Sequence, residues 1–254
     1  MSQKVKSALR ALQILEHFDE VQCSLTAAEL GDEFGWPRSS TWGLLQTLSE
    51  AGFLQFDPRS KTYLPSERVS VLSLWAYTPL FAEGRMLKMM HALREQTSGR
   101  VVLAAQTGNS VRYIHTVQGV KLGKTHFRRG TPVPMLDTSV GRLFLSLYTD
   151  SEAARIIHRI RGTSHAANAI SISQTLAELA EIRQSGYSVS INRQGTGYGT
   201  VSMLLPRIFE QTRPLAVAVS CVKEIIETRQ QEFAHVLATE IQRHFGNLDC
   251  PPRI

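Results

Sequence analysis

The sequence predicts an α+β protein in which a winged helix-turn-helix precedes a linker helix and a larger domain with an antiparallel sheet. Residues 26–64 contain two short amphipathic helix patterns, a glycine turn between them and a hairpin pattern after them. From residue 100 onward, a strand hairpin is followed by helices, more strands and a last helix, an order that does not suit a doubly wound parallel sheet. We expect the three parts to cover residues 1–65, 66–80 and 81–254.

The first helix of the predicted motif begins at Thr26. Glu29 follows three residues later, a spacing typical of a capping box, in which hydroxyl and carboxylate each accept a bond from a backbone amide. Gly35 is expected to end this helix, because glycine readily adopts the left-handed conformation found after helix ends. Pro37 suits the start of the next helix, where a missing N–H costs nothing.

The second helix carries side chains suited to the DNA major groove. Leu44, Leu45 and Leu48 form its predicted buried stripe. Arginine can pair with guanine edges, glutamine with adenine, and hydroxyl groups with phosphates. We predict DNA contacts from Thr41, which lies in the first turns of this helix, and from the residues left on or near the outward face, which are Arg38, Ser39, Ser40, Trp42 and Gln46.

A hairpin follows Gly52, with strands predicted over residues 53–56 and 61–64 and a turn at residues 57–60. Its tip carries Arg59 and Lys61, which we expect to contact DNA phosphates. Two helices and a hairpin can also form a purely structural domain. The glycine turn, proline start, polar outward face and basic wing tip together favour DNA binding.

The composition is that of a soluble globular protein, with 43% hydrophobic and 20% charged residues. No apolar run approaches the roughly 20 residues that span a bilayer. The N-terminal residues lack the apolar core of a signal peptide. The three cysteines, Cys23, Cys221 and Cys250, are too few and too scattered for a disulfide framework. We therefore expect a cytoplasmic protein that does not contact a membrane.

The net charge of +6 is unevenly distributed. Residues 1–65 contain six Lys and Arg against eight Asp and Glu and carry −2, so the remainder carries +8. The DNA-binding prediction therefore depends on where the basic side chains lie, and few released counterions imply modest non-specific affinity.

Helices dominate the segment after the hairpin. Residues 66–77 carry an apolar stripe expected to pack against a partner chain or the next domain. Thr78 and Pro79 break that helix and cap the next one, which is expected to end at Gly99. Its apolar stripe is typical of a core or a dimer interface rather than a cofactor site, and consists of Ala82, Met86, Met89 or Met90, and Leu93.

The rest of the chain predicts strands and helices in turn. Strands over residues 100–106 and 111–117 flank a Gly108-Asn109 turn. Helices are predicted over residues 139–148, 151–160 and 173–184, and Gly186 closes the last of them. Strands over residues 201–205 and 215–222 precede a terminal helix that ends at Phe245, before Gly246.

Catalysis is poorly supported. The chain lacks G-x-S-x-G, a phosphate loop and H-E-x-x-H. Residues 195–199 are glycine-rich, but without a strand-to-helix setting they indicate a loop beside a pocket. His115 and His126 have no cysteine or carboxylate at ligand spacing, which disfavours a metal site. Cys221 lies in an apolar strand and is expected to be an inert buried thiol. We expect no cofactor, no metal and no enzymatic activity.

Several segments resemble the IclR family of bacterial transcriptional regulators. The likeness is strong in residues 6–15, 35–41 and 44–48 (KSALRALQIL, GWPRSST and LLQTL) and looser at residues 134–142, 185–187 and 215–220. It covers most of the chain. Two positions depart from the family pattern. Gly43 stands where the family commonly has an arginine on the recognition helix, and Pro65 stands where it usually has glycine. The glycine removes one expected DNA contact and costs roughly 1 kcal/mol of helix propensity.

The resemblance implies a GAF-like second domain that binds a small effector and forms a dimer or a dimer of dimers. Ser188, Ser190 and Asn192 occur where the family often has an acidic residue, and Ala218 where it commonly has serine, so a less polar pocket is implied. The pocket residues carried over by position are Met135, Leu136, Thr138, Gly141, Ser202, Ala218 and Ser220.

Between residues 100 and 129 lie six basic residues and no acid. This stretch is either a solvated basic face or a surface that attracts an anionic effector. The sequence as a whole predicts a regulator that binds double-stranded operator DNA and responds to a small metabolite, an aromatic or other organic acid. The alternative is a DNA-binding protein whose second domain only oligomerises.

Overall fold

The computed structural model describes residues 5–69, 84–119, 132–162, 171–191, 197–206 and 214–246. The chain divides into two compact units, Met1–Tyr77 and Thr78–Ile254. Several predictions fall outside the described residues: most of the linker helix, the Thr78-Pro79 break, Ala82, His126, Asn192, Cys250 and the basic residues after position 119.

The first unit contains three helices and a small antiparallel sheet among its described residues. Its elements are α1 Lys6–Val21, β1 Leu25–Thr26, α2 Ala27–Phe34, α3 Arg38–Glu50, β2 Leu54–Asp57 and β3 Thr62–Pro65. The sheet has the order β1-β3-β2, and β1 pairs Leu25 with Tyr63. The core side chains are Ile14, Phe18, Leu30, Leu45, Leu48, Leu54 and Tyr63.

Local sequence signals fix the helix ends as predicted. The Thr26 amide donates to Glu29 Oε2 over 2.8 Å, and Thr26 Oγ1 accepts from the Glu29 amide over 3.2 Å, which completes the capping box. Gly35 has φ 64° and ends α2. At the end of α3, Gly52 has φ 77°, and the Phe53 amide donates to the Leu48 carbonyl over 2.8 Å.

The second unit is a six-stranded antiparallel sheet with helices on both faces. Its sheet order is β6-β5-β4-β9-β8-β7. The elements are α4 Arg85–Thr97, β4 Arg100–Thr107, β5 Ser110–Val117, β6 Pro132–Pro134, a 3-10 turn Met135–Asp137, α5 Ser139–Leu145, α6 Asp150–Arg161, α7 Ile172–Ser185, β7 Tyr187–Ile191, β8 Tyr198–Leu204, β9 Leu215–Val222 and α8 Lys223–Phe245.

Two hydrophobic clusters lie on opposite faces of this sheet. One joins α4 and α8 to alternate strand residues such as Val101 and Val219. The other joins α5, α6 and α7 to the intervening residues, including Ala216 and Ala218. Alternation of side chains along each strand explains this division. The predicted α+β class with an antiparallel sheet is confirmed.

Two local expectations are corrected. The helix α4 ends at Thr97, and its left-handed cap is Ser98 with φ 53°, not Gly99. Gly99 instead packs closely under β9, because a Cβ there would lie 2.7 Å from Val219 Cγ1. In α3, Leu44 is only half-buried, and Thr41 takes its place in the buried stripe with Leu45 and Leu48.

Candidate DNA-binding face and effector site

The outward face of α3 carries most of the predicted DNA-reading side chains. Arg38, Ser39, Ser40 and Gln46 are exposed, and Trp42 is 56% exposed. Trp42 is unusual there, since a large apolar side chain left in water favours a partner surface. Gly43 lies on the same face, with open space where a side chain would project. The open position is consistent with the lost arginine contact noted above.

Thr41 does not belong to this face. Its side chain is fully buried, and Oγ1 donates to the Pro37 carbonyl over 3.2 Å. A Cβ on Gly31 of α2 would meet Thr41 Oγ1 at 3.6 Å, so Thr41 packs between the two helices. The prediction that Thr41 contacts DNA is therefore corrected. The helical spacing of residues 41, 45 and 48 was the signal for its burial.

An acidic residue orients one of the predicted DNA-reading side chains. Gln46 Nε2 donates to Glu50 Oε1 over 3.0 Å, one helical turn farther along α3. Because an ionised carboxylate only accepts hydrogen bonds, this contact fixes which end of the amide faces Glu50. The spacing of four residues along the helix was the sequence signal for this contact.

The wing tip is held by Asp57. Its carboxylate accepts from Ser60 Oγ over 2.7 Å and from the Arg59 amide over 2.9 Å. The Ser60 hydroxyl and then the Arg59 amide lower the pKa of this carboxyl below its usual value. The turn leaves Arg59 and Lys61 exposed, and Lys61 adopts φ 57°. The two basic side chains are thus presented by a fixed turn.

The predicted effector residues gather on one face of the second unit. Met135 and Leu136 are buried in the 3-10 turn and share a hydrophobic cluster with Ala218 on β9. Thr138 is half-buried and caps α5, accepting a bond from the Gly141 amide over 3.0 Å. Gly141 is buried against the Met135 backbone, which gives it a packing role.

The strand candidates form two rows of small polar side chains on this face. Ser202 is fully buried and pairs with Ser188 on one side and Ala218 on the other. Two residues along, Ser220 pairs with Thr200 on one side and Arg100 on the other. Directly paired residues project to the same side of a sheet. We call this set the hydroxyl face: Ser188, Ser202, Ala218, Thr200, Ser220 and Arg100.

Hydrogen bonds connect members of the hydroxyl face. Thr200 Oγ1 donates to Ser220 Oγ over 3.1 Å, and Ser220 Oγ donates to the Gly199 carbonyl over 3.1 Å. Ser202 Oγ donates to the Ser188 carbonyl over 3.4 Å. The Ser188 hydroxyl is buried and has no hydrogen-bond partner among the described residues. A buried hydroxyl without a partner costs about 1–3 kcal/mol of stability.

Arg100 contributes a buried cation at the end of one row. It is only 1% exposed, and its Nε donates to Gln118 Oε1 over 3.1 Å. Burial lowers the pKa of the Arg100 guanidinium, which the nearby Tyr198 and Tyr113 oppose. Burial also raises the pKa of Tyr113 to about 12. An arginine guanidinium can form two parallel hydrogen bonds with a carboxylate or a phosphate, so its chemistry suits an anion.

A cleft of about 420 Å³ opens beside the hydroxyl face, among α7, β7 and α8. None of the seven predicted effector residues lines it, although Ser188 does. Buried Arg142 from α5 reaches its wall, where Nη1 lies 2.9 Å from Glu178 Oε2 and Nη2 lies 3.0 Å from the Val189 carbonyl oxygen. This cleft was not predicted from the sequence, where its one local signal was an arginine within a mostly apolar helix.

The described residues form no metal site, and Cys221 is not a reactive thiol. Within the described ranges, no group of three or more His, Cys, Asp and Glu could hold a metal ion. Cys221 is buried, its Sγ lies 3.8 Å from the Thr97 carbonyl oxygen, and burial raises its thiol pKa. These features agree with an inert thiol. No helix among the described residues is long and apolar enough to cross a membrane.

Both units match known protein families. Residues 7–58 match the IclR helix-turn-helix domain, and residues 83–243 match the bacterial transcriptional regulator IclR C-terminal domain. The chain is 24% identical to the transcriptional repressor IclR of Escherichia coli, over 96% of this chain and 92% of that protein. It is 21% identical to the Escherichia coli regulator KdgR, over 97% and 95% of the two chains.

Solved structures share the fold. The Thermotoga maritima IclR structure superposes with a TM-score of 0.60 at 19% identity, over 94% of this chain and 98% of that one. The effector domain of an Acinetobacter IclR regulator gives 0.59 at 19% identity, over 65% and 96%. The named relatives are transcriptional regulators, not enzymes. The chain therefore belongs to the IclR family of bacterial transcriptional regulators, which bind DNA.

Proposed function

We propose that this regulator controls transcription in response to a small organic acid, aromatic or aliphatic, that binds at the hydroxyl face of the second unit. The protein acts as a homodimer or a dimer of dimers on double-stranded operator DNA. The acid changes operator affinity because it binds one arrangement of the recognition helices better than another.

One observation carries this proposal: a buried arginine and a row of hydroxyl groups share one face of the six-stranded sheet. Arg100 lies directly beside Ser220 in the sheet register, and Thr200 lies on the other side of Ser220. A carboxylate is the ligand group that matches a guanidinium flanked by hydroxyls. The apolar residues Met135, Leu136 and Ala218 border the same face and suit a hydrocarbon or aromatic body.

The burial of the Arg100 guanidinium also supports the proposal. Burying a cation away from water is expensive, and an anion beside it offsets that expense. The lowered pKa of Arg100 has burial as its first cause, so a bound carboxylate would raise it again. One similar regulator is named for such a compound: the acetate operon repressor of Salmonella typhimurium is 25% identical over 85% of this chain.

Self-association is supported by exposed apolar side chains in the first unit. Val5, the N-cap of α1, is 68% exposed, and Leu9 and Leu12 on α1 are 47% and 58% exposed. Their spacing of four and three residues places them on one side of the helix. Sedimentation of the full chain at micromolar concentration measures the oligomer, and a monomer would contradict this part of the proposal.

The test begins with an operator obtained by selecting random double-stranded DNA on the full-length protein. Gel-shift titrations are then repeated with acetate, pyruvate, benzoate and hydroxybenzoates, and thermal melting is measured with the same acids. At least one acid is expected to change operator affinity and to raise the melting midpoint as its concentration rises.

Variants locate the site. Arg100→Gln and Ala218→Trp are expected to bind the operator like the parent but to lose the response to the acid. Arg112→Gln, which changes an exposed arginine on β5, is the matched control and should respond like the parent. Circular dichroism confirms folding, because overpacking at Ala218 costs about 1–3 kcal/mol. If no acid changes melting or operator affinity, the alternative of a second unit that only oligomerises is favoured.

A further inference from the structure

The cleft among α7, β7 and α8 has the dimensions and lining of a binding site, and of its lining residues only Ser188 belongs to the hydroxyl face. We propose that it is a second small-molecule site, which binds a neutral polyhydroxylated compound of monosaccharide size. Its volume of about 420 Å³ lies within the range of roughly 300–1,000 Å³ typical of ligand pockets. The lining combines amide, hydroxyl and carboxylate groups with an aromatic ring.

The charges of the cleft disfavour an anion. Arg142 is the cation in its lining, and its side chain is 3% exposed. Two contacts already engage it, one with Glu178 Oε2 at 2.9 Å and one with the Val189 carbonyl at 3.0 Å. Glu178 and Glu181 also line the cleft and face an incoming ligand with negative charge. An organic acid would therefore meet carboxylates here rather than an available guanidinium.

The neutral groups fit a compound that both donates and accepts hydrogen bonds. Gln184 and Gln230 each offer a carbonyl oxygen and an amide NH₂. The Ser188 hydroxyl lines the cleft, is only 1% exposed and has no hydrogen-bond partner among the described residues. A hydroxyl group of the ligand would form a hydrogen bond with the Ser188 hydroxyl and remove the free-energy cost of leaving that group buried without a partner. Carboxylates such as Glu181 accept well from ligand hydroxyls.

The apolar part of the lining suits the carbon face of a sugar ring. Tyr187 and Ile182 both contribute to the cleft. An aromatic ring beside hydrogen-bonding groups can contact the C–H face of a polyol while the polar groups bind its hydroxyls. A purely hydrocarbon ligand would leave the amides and carboxylates unpaired, which disfavours it.

The backbone of α8 brings Gln230 to this position. The helix departs from helical geometry at Arg229, where φ is −125° and ψ is 20°. Arg229 also forms an exposed ion pair with Glu232. Gln230 follows directly and lines the cleft, whereas its neighbour Gln231 is exposed and does not. The chain thus supplies two adjacent glutamines, one inside the proposed site and one outside it.

The experiment is titration calorimetry of the full-length protein with D-glucose, D-galactose, D-xylose and myo-inositol, each to tens of millimolar. At least one is expected to bind saturably. Gln230→Ala and Ser188→Ala should each weaken that binding by about 5- to 10-fold, the effect of losing one hydrogen bond to a neutral group. Gln231→Ala is the matched control and should bind like the parent. Circular dichroism of each variant confirms the fold.

Three results would overturn the proposal: no saturable binding of any of these compounds, binding that Gln230→Ala and Ser188→Ala leave unchanged, or saturable binding of ethylamine or acetate in place of the polyols. The response of operator binding to organic acids is measured on Gln230→Ala in parallel. Because Gln230 lies outside the hydroxyl face, this variant should keep that response, so the two proposals fail separately.

Discussion

Gly141 lies so close to the backbone of Met135 that a Cβ on Gly141 would stand 1.9 Å from the Met135 carbonyl oxygen. No side chain fits there without moving the 3-10 turn away from α5. We expect Gly141→Ala to lower the free energy of unfolding of the second unit by about 3 kcal/mol, the upper part of the usual range for overpacking. Urea denaturation followed by circular dichroism measures it.

Gly162→Ala is the matched control for that change. Gly162 is helical, with φ −64°, and its nearest contact to an added Cβ is 3.6 Å. This variant should unfold within about 1 kcal/mol of the parent, since alanine is the better helix former. Equal stability of the Gly141 and Gly162 variants would show that the turn at Met135 adjusts freely.

Substitution of Arg38 should weaken DNA binding, whereas substitution of Thr41 should leave it nearly unchanged. Arg38→Ala is expected to weaken operator binding by about 1–3 kcal/mol if its guanidinium reads a base edge. Thr41→Val keeps the buried shape and should leave operator affinity within about two-fold of the parent, since Thr41 faces the core. Gel-shift titrations at matched salt measure both, and a large loss for Thr41→Val would return that residue to the DNA surface.

The wing is expected to bind phosphate rather than bases. Arg59→Ala should weaken binding to operator and random DNA equally and reduce the salt slope by about 0.9 per lost contact. Lys61→Asn should do the same, and asparagine tolerates the positive φ of 57° at that position. Lys88→Ala, at an exposed lysine of α4, is the control. A changed sequence preference with an unchanged slope would mean that the wing reads bases.

Glu50 should contribute to sequence preference through Gln46. Selection of random DNA by Gln46→Ala is expected to lose the preference for adenine at one position, worth about 1–3 kcal/mol. Glu50→Ala should relax the same position without lowering affinity for random DNA, because it also removes a negative charge that repels phosphate. Glu50→Gln, whose amide oxygen still accepts from Gln46, should restore the preference. Unaltered base preferences in all three variants would exclude this role.

The raised pKa of Tyr113 predicts that the folded protein loses stability at high pH. Its pKa is about 12 in the folded protein, above the usual value of about 10. The folded state therefore holds the phenol proton more tightly, so the stabilisation is complete below pH 10 and is lost as pH rises toward 12. Urea midpoints at pH 8.5 and 11 should differ less for Tyr113→Phe than for the parent. Equal pH dependence would place the sensitivity in other groups.

The sequence predicted the first unit well because its signals are local. The capping box at Thr26 and the left-handed glycine at Gly35 each depend on a few neighbouring residues. The short strand Leu25–Thr26 escaped prediction because two residues show no alternation. Thr41 was misplaced because its position in the first turns of α3 suggested a DNA contact, whereas helical spacing with Leu45 placed it in the core.

The second unit was predicted as elements but not as sites. The hairpin of β4 and β5 and the terminal helix α8 lie close to their predicted bounds. Strand β7 was missed because its serines at positions 188 and 190 have no strong strand propensity. The cleft was missed because residues 142, 178, 188 and 230 meet only after the sheet and helices have packed. The roles of the DNA-reading and effector residues remain predictions.

The contact between Arg142 and β7 also bears on aggregation. Strand β7 is the last strand of its sheet in the described order, and such a strand can template pairing with a foreign chain. The Arg142 guanidinium already occupies the Val189 carbonyl, and Glu178 holds the guanidinium in place. A foreign strand would have to displace the buried Arg142 side chain, which is paired with the half-buried Glu178, before it could add there. The salt bridge therefore opposes the addition of a strand from another molecule to this edge of the sheet while the protein is folded.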